Sequence, residues 1–138
     1  MAGLLHDIDV EVSGGDMKLH SRMGSQMVKQ MGVSDAISHA ILAHNEAHGE
    51  PCGSLMDKAL FCADPITGLI TAGALVRPDK KLASVEAKSI RKRFKEKSFA
   101  AGASRENIAR CSDIGLDLDT FIEVGLEAMK GVAGELGL

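Results

Sequence analysis

Apolar positions recur at helical spacing through almost the whole chain, so the pattern predicts helices throughout. Residues 2–7 read as the last turns of a helix whose beginning is absent. Asp9 to Asp16 is a loop, marked by Ser13-Gly14-Gly15. Asp16 caps a helix to about Met31, with Met23, Met27, Val28 and Met31 on one buried face, and Gly32 ends it. Ser34 caps the next, along which Ile37, Ile41 and His44 run until Gly49, Pro51 and Gly53 break the chain. Ser54 opens a long apolar stretch to Val76, helical in spacing and apolar nearly all round. Pro65 interrupts it at a cost of about 3 kcal/mol. Either the helix kinks at Asp64, or one helix ends there and another starts with Pro65 at its first position.

The second half differs in character. Arg77 to Lys81 is a turn, and Ser84 caps a helix through about Lys97 that carries Lys88, Arg91, Lys92, Arg93, Lys95 and Lys97. Such a run is ordinarily a solvated face; the functional alternative is that some of these cations lean over a phosphate. Ser104 opens a short helix to about Asp113, and Gly115 breaks it. Asp117 or Asp119 starts a final helix with Leu118, Phe121, Ile122, Leu126, Met129 and Val132 on one stripe. The expectation is one all-α domain over residues 1–138, of about six helices.

Composition narrows the function. With four Phe, no Trp and no Tyr, the core must be aliphatic and a base-stacking nucleic-acid surface is disfavoured. A net charge of −3 supplies no general attraction for polyanions. Cys52, Cys62 and Cys111 are odd in number and form no C-x-x-C pair, which reads as reduced thiols in a cytoplasmic protein. No secretory leader and no run of membrane-spanning length is read from the sequence.

The candidate chemistry lies in two places. Gly3-Leu4-Leu5-His6-Asp7-Ile8-Asp9 sets adjacent His and Asp at the end of an apolar run, and Phe61-Cys62-Ala63-Asp64 sets an Asp in another. Ionisable groups on apolar flanks need compensation for lost hydration. A divalent cation supplies it, since imidazole and carboxylate suit Zn, Fe, Mn and Mg to different degrees. His20 and His44 are the remaining candidate ligands, and only a helical bundle brings all five together. The plain alternatives are a helix terminus at His6-Asp7 and a helix cap at Asp64. His39 turns to another face than His44 and reads as structural or exposed. His48, with Gly49 next, reads as loop-facing, and His44-Asn45-Glu46-Ala47-His48 lacks the H-E-x-x-H order of metalloproteases.

Leu4-Leu5-His6-Asp7-Ile8-Asp9, His20 with Gly24, Ala43-His44-Asn45 and Ala59-Leu60-Phe61-Cys62-Ala63-Asp64 together resemble the HD-domain superfamily of metal-dependent phosphohydrolases. The resemblance covers residues 2 to about 76, the motif-bearing core; 77–138 is similar to the helical C-terminal extension of small, stand-alone bacterial members. It implies an HD-type helical bundle, with His6 and Asp7 as ligands and catalytic residues. Asp7 would bridge two ions or orient the hydrolytic water, Asp64 would close the set, and His20 and His44 would hold a second metal. Lys58, Lys80, Lys81 and Arg91 are the implied phosphate contacts. The implied cofactor is a divalent ion (Mn, Fe, Zn, Ni or Mg). The implied partner is a small, nucleotide-like phosphorylated molecule, with neither a nucleic-acid polymer nor a membrane expected.

Two departures qualify the expectation. The family's first His ligand lies on a helix preceding the His-Asp pair, and this chain begins too late to contain it. Weaker metal affinity and an exposed apolar groove, favouring a homodimer or a swapped helix, are expected in consequence. Pro65 stands where relatives carry an acidic residue, which would shift the Asp64 side chain. The expected function is hydrolysis of a phosphomonoester or phosphodiester by metal-activated water. The alternatives are a degenerate HD domain that binds a nucleotide or protein without turnover, and a helical oligomerisation domain.

Overall fold

Glycines and short capping residues cut the chain into helices, and the computed structural model, which describes residues 1–138, contains no strand. In order they are α1 (Ala2–Leu5), α2 (Val10–Ser13), α3 (Arg22–Gln30), α4 (Asp35–Ala43), α5 (Leu55–Leu75), α6 (Ala87–Phe94), α7 (Arg105–Ala109), α8 (Leu118–Gly131) and α9 (Ala133–Leu136). Short 3₁₀ turns lie at Glu46–His48, Leu82–Ser84 and Arg110–Ile114. The all-α expectation holds and is compatible with an HD-type bundle.

Several boundaries differ for local reasons. The expected 9–16 loop contains α2, closed by Gly14 in the left-handed region. The helix expected from Asp16 starts at Arg22 instead. Asp16 Oδ1 accepts the Lys18 N–H at 2.8 Å, making a turn, and Ser21 takes φ +65°, which no helix continues. The face that α3 buries is Gly24, Ser25 and Val28, whereas Met31 is 61% exposed. Gly32 at φ +78° closes α3 as expected, with the Val33 N–H donating to the Val28 carbonyl at 3.0 Å. Ser84 is no helix cap; its hydroxyl engages Asp79 and the Lys81 carbonyl, and α6 begins at Ala87. Val132, expected on the buried stripe of α8, is largely exposed.

Helix α5 runs unbroken for 21 residues through Pro65, so it neither ends nor restarts there. The Thr67 hydroxyl donates to the Asp64 carbonyl at 2.7 Å beside the proline. By length and composition α5 is sufficient to cross a membrane, which corrects the expectation that no such run exists. It nevertheless carries Asp57, Lys58 and Asp64, and Ile66, Leu69, Ile70 and Ala74 pack into a protein core. That core helix reading accounts for its hydropathy.

The chain forms two compact units, Met1–Phe61 and Cys62–Leu138, with the boundary inside α5. In the second unit α6 packs on α8 around a dry core of Leu69, Ile70, Leu82, Ile90, Ile108 and Ile122. The Arg105 guanidinium donates to the carbonyls of Phe94, Glu96, Ala100 and Ala103, which fixes the loop after α6. Burial pushes the Cys62 thiol up to about 11 and raises that of Cys111, so neither is a ready nucleophile. In the first unit α3 and α1 both pack on α4. All nine buried polar residues of the chain lie there: Asp9, Ser13, His20, Ser21, Ser25, Ser38, His44, Asn45 and Asp57.

Within the first unit His39 ties α4 to the start of α5. Its Nδ1 lies 3.1 Å from Asp57 Oδ2 and its Nε2 3.3 Å from Glu50 Oε1. Asp57 and Ser54 also cap α5 reciprocally, through Ser54 N–H to Asp57 Oδ2 at 2.8 Å and Asp57 N–H to Ser54 Oγ at 3.1 Å. The Asp57 hydrogen bond raises the His39 pKa, against a smaller opposing effect of burial. Burial alone would raise Asp57, but the bonds from Ser54 and His39 together hold its carboxyl below the usual range. The structural reading of His39 therefore holds.

Two stability outcomes follow. Leu69→Ala, at a fully buried position, should cost about 2–5 kcal/mol in chemical denaturation. Because the folded pKa of His39 is raised, its stabilisation is complete below about pH 6.5 and fades as pH rises through the folded value. The difference in Tm between the native chain and His39→Asn should therefore be largest near about pH 6 and shrink towards about pH 8.5. A difference that grows with pH contradicts this assignment.

Candidate metal centre

The first turn of the chain delivers His6 and Asp7 side by side, just after α1. His44 follows the last residue of α4, and His20 sits in the turn before α3. These four gather in the first unit. His6 Nε2 is 3.3 Å from Asp7 Oδ2, while His20 Nε2 and His44 Nε2 are 3.5 and 3.8 Å from Asp7 Oδ1. The His44 ring makes edge-on contacts with both His6 and His20, at 5.2 Å between centroids in each case.

The orientation of each imidazole is set from behind. His6 Nδ1 is 2.7 Å from the Gly3 carbonyl, and His44 Nδ1 is 2.5 Å from the Ile41 carbonyl. A carbonyl only accepts, so each Nδ1 carries the proton and each Nε2 presents a lone pair. His20 Nδ1 is 2.8 Å from Asp9 Oδ1, a carboxylate–histidine pairing that places its Nε2 in the same role. Three ε-nitrogens thus face one carboxylate. Asp7 is 54% exposed, whereas the His6, His20 and His44 side chains are 20%, 10% and 3% exposed. The group is open on the Asp7 side and closed behind.

Ligand atoms on one ion at bonds near 2.1 Å stand about 3.0–3.4 Å apart at octahedral or tetrahedral angles. One ligand atom each from His6, Asp7 and His44 lie within 4.8 Å of one another, the two imidazoles approaching the Asp7 oxygens to 3.3 and 3.8 Å. The donor set and its spacing fit a first-row divalent cation after small side-chain adjustments.

Asp9 is the residue that sequence reasoning missed. Taken from the sequence as the start of a loop, it is fully buried, and its Oδ2 accepts the Gly24 N–H at 2.7 Å while Oδ1 holds His20. A Cβ on Gly24 would stand 3.2 Å from the Asp9 carboxyl carbon, so a side chain here would require the carboxylate to shift by a few tenths of an ångström. Asn45 was also passed over as a functional residue. Its Nδ2 donates to the Met17 and His20 carbonyls at 2.9 and 3.2 Å, and its Oδ1 accepts the Ala47 N–H. His48, expected to face a loop, sends its Nε2–H to the same His20 carbonyl at 2.6 Å. Ser21 completes the frame, its hydroxyl donating to the Leu42 carbonyl at 3.3 Å. The sequence signal for Asp9 was a second acid two residues after the His-Asp pair, beside Ile8.

The other predicted residues lie elsewhere in the chain. Asp64 belongs to the second unit, where it lines a cavity with Pro65, Thr67 and Gly68. Lys58 is half-buried on α5 in the first unit. Lys80 and Lys81 stand exposed in the second unit, and Arg91 there pairs with Asp119 at 3.0 Å.

Comparison with known proteins bears on this group. A family model described as the HD domain matches residues 1–98. A 71-residue stretch, 49% of this chain, is 37% identical to Ribonuclease Y of Geobacter sulfurreducens and covers 12% of that protein's length. No solved structure matches the chain.

The carboxylate behind His20 generates a measurable expectation. Asp9→Asn should leave the helical content intact while weakening Mn²⁺ or Zn²⁺ binding by about 10- to 100-fold in titration calorimetry. Gly24→Ala should weaken it in the same direction by displacing Asp9. Unchanged affinity in both variants removes Asp9 from the centre.

Proposed function

The chain belongs to the HD-domain family, and from that membership we propose that it is a metal-dependent phosphohydrolase acting on a phosphomonoester or phosphodiester, nucleotide-like in character. The observation that carries the reading is the convergence of the His6, His20 and His44 Nε2 atoms on Asp7, each imidazole fixed by an acceptor at Nδ1. Likeness over part of its length to a protein named as a ribonuclease supports a phosphodiester among the substrates.

His6, Asp7, His20 and His44 would hold the cation, and Asp64 joins the set by its place in the family motif. A divalent ion bound there lowers the pKa of water towards about 7 and polarises a phosphoryl oxygen. Asp7, the half-exposed member, would orient the attacking water. The buried imidazoles keep the opposite side dry, which strengthens every charge interaction at the reacting phosphate. Asp9 and Gly24 act at one remove, by keeping the His20 ring in the correct tautomer. Lys58, Lys80, Lys81 and Arg91 remain the proposed phosphate contacts.

Elemental analysis of the purified chain together with turnover of bis(p-nitrophenyl) phosphate and p-nitrophenyl phosphate tests the proposal. Stoichiometric Mn, Fe, Zn or Ni, with activity lost by about a thousandfold or more in His6→Ala and Asp7→Ala, is the expected result. A metal-free, inactive chain that still binds nucleotides points instead to a binding module.

A further inference from the structure

Helix α3 has an outer face as well as the one that holds Asp9. Arg22, Gln26 and Lys29 recur there at helical spacing and form one wall of an open cleft of about 340 Å³ within the first unit. Ser25, Leu42, His48 and Glu50 complete the lining. Arg22 and Lys29 are seven residues apart, about 10 Å along the helix axis.

Cations on an exposed helix face are ordinarily solvated and carry no further role. Three observations set this pair apart. First, neither is neutralised: the Arg22 guanidinium has no ion pair or hydrogen bond, and Lys29 Nζ has only Asp35 at 3.8 Å, with Lys29 56% and Asp35 96% exposed. A pair that loose and that exposed contributes almost nothing. Second, the one carboxylate in the lining is turned to another partner, since Glu50 Oε1 meets His39 Nε2 at 3.3 Å. The cleft therefore presents net positive charge. Third, its walls are the chain segments that carry the metal centre. Arg22 follows His20 by two residues, Leu42 precedes His44 by two, and the His48 Nε2–H donates to the His20 carbonyl at 2.6 Å.

We propose that this cleft is an anion subsite for the substrate, in which Arg22 and Lys29 bind a second phosphate group distinct from the one hydrolysed. The inference rests on the phosphohydrolase reading and sharpens it: the preferred substrates carry at least two phosphates. Arg22 supplies the planar, bidentate donor that phosphate oxygens accept, and Lys29 adds a point charge. The volume, at the lower end of the range for ligand sites, suits one phosphorylated nucleoside and not a long polymer.

The test compares kcat/KM for 5′-phosphorylated diadenylate with that for bis(p-nitrophenyl) phosphate, in the metal-loaded full chain and in the Arg22→Ala/Lys29→Ala variant. Both residues are exposed, so the fold, checked by circular dichroism, should survive. The preference for the diadenylate should fall by about tenfold or more, mainly through KM, as for loss of a charged phosphate contact. Arg22→Glu should lower it further than Arg22→Ala. If the chain hydrolyses both probes and the variant keeps the native preference, the subsite is overturned while the hydrolase reading stands. If the native chain hydrolyses neither probe, the hydrolase reading fails and the subsite falls with it.

Discussion

The first unit depends on one buried carboxylate. Asp9 is withdrawn from water completely and is held by two donors from different directions, the His20 ring and the Gly24 main chain. Withdrawing a carboxyl group from water costs several kcal/mol in lost hydration, and here each oxygen has a donor to offset it. Satisfying them fixes three things together. The ring of His20 is locked, α3 is brought against the 6–9 turn, and residue 24 has little room for a side chain. The position of Asp7 relative to His20 and His44 follows from that packing.

The distribution of buried polarity sharpens the point. A core assembled only for stability would resemble the second unit, where Leu, Ile, Val and Ala pack without a buried charge. The first unit instead buries two Asp, two His, an Asn and four Ser within 61 residues. Replacing such groups with apolar residues of similar volume is often neutral or stabilising. Their presence is then best explained by what they position. His20 is secured at both ends, by Asp9 on the ring and by Asn45 and His48 on its carbonyl. Ser25 and Ser38 join α3 to α4 through hydroxyls 2.8 Å apart. The polar frame is a rigid mount for imidazoles.

Elements built from local rules were legible in the sequence. Gly32 after α3, Ser104 before α7 and Asp117 before α8 end or start helices as their chemistry requires. The gathering of His6, Asp7, His20 and His44 matches what the resemblance to the HD domain implied, whereas Asp64, expected in the same set, belongs to the second unit. What was not legible depended on non-local packing. The start of α3 is set by Ser21, whose hydroxyl reaches the Leu42 carbonyl across 21 positions. Met31, read as part of the buried face, lies just past the end of α3 and is 61% exposed. Pro65 reads as a stop to any local rule, yet α5 continues through it on the strength of the apolar burial that follows at Ile66, Leu69 and Ile70. Asp9 looked like a loop residue because nothing adjacent in sequence announces its partners, which lie 11 and 15 positions away.

The charge arithmetic of the centre favours a cation over a purely structural cluster. With Nδ1 of each imidazole bonded to an acceptor, the neutral rings point three lone pairs at a carboxylate, an arrangement that repels unless something positive lies between them. The three rings are also crowded, the His44 centroid lying 5.2 Å from those of both His6 and His20, and Asp9 is already matched to His20. His6, His20, His44 and Asp7 would hold a divalent ion there, which would take up the lone pairs, balance Asp7 and leave a net positive centre on the solvent side. That is the charge a phosphate ester requires of its binding site.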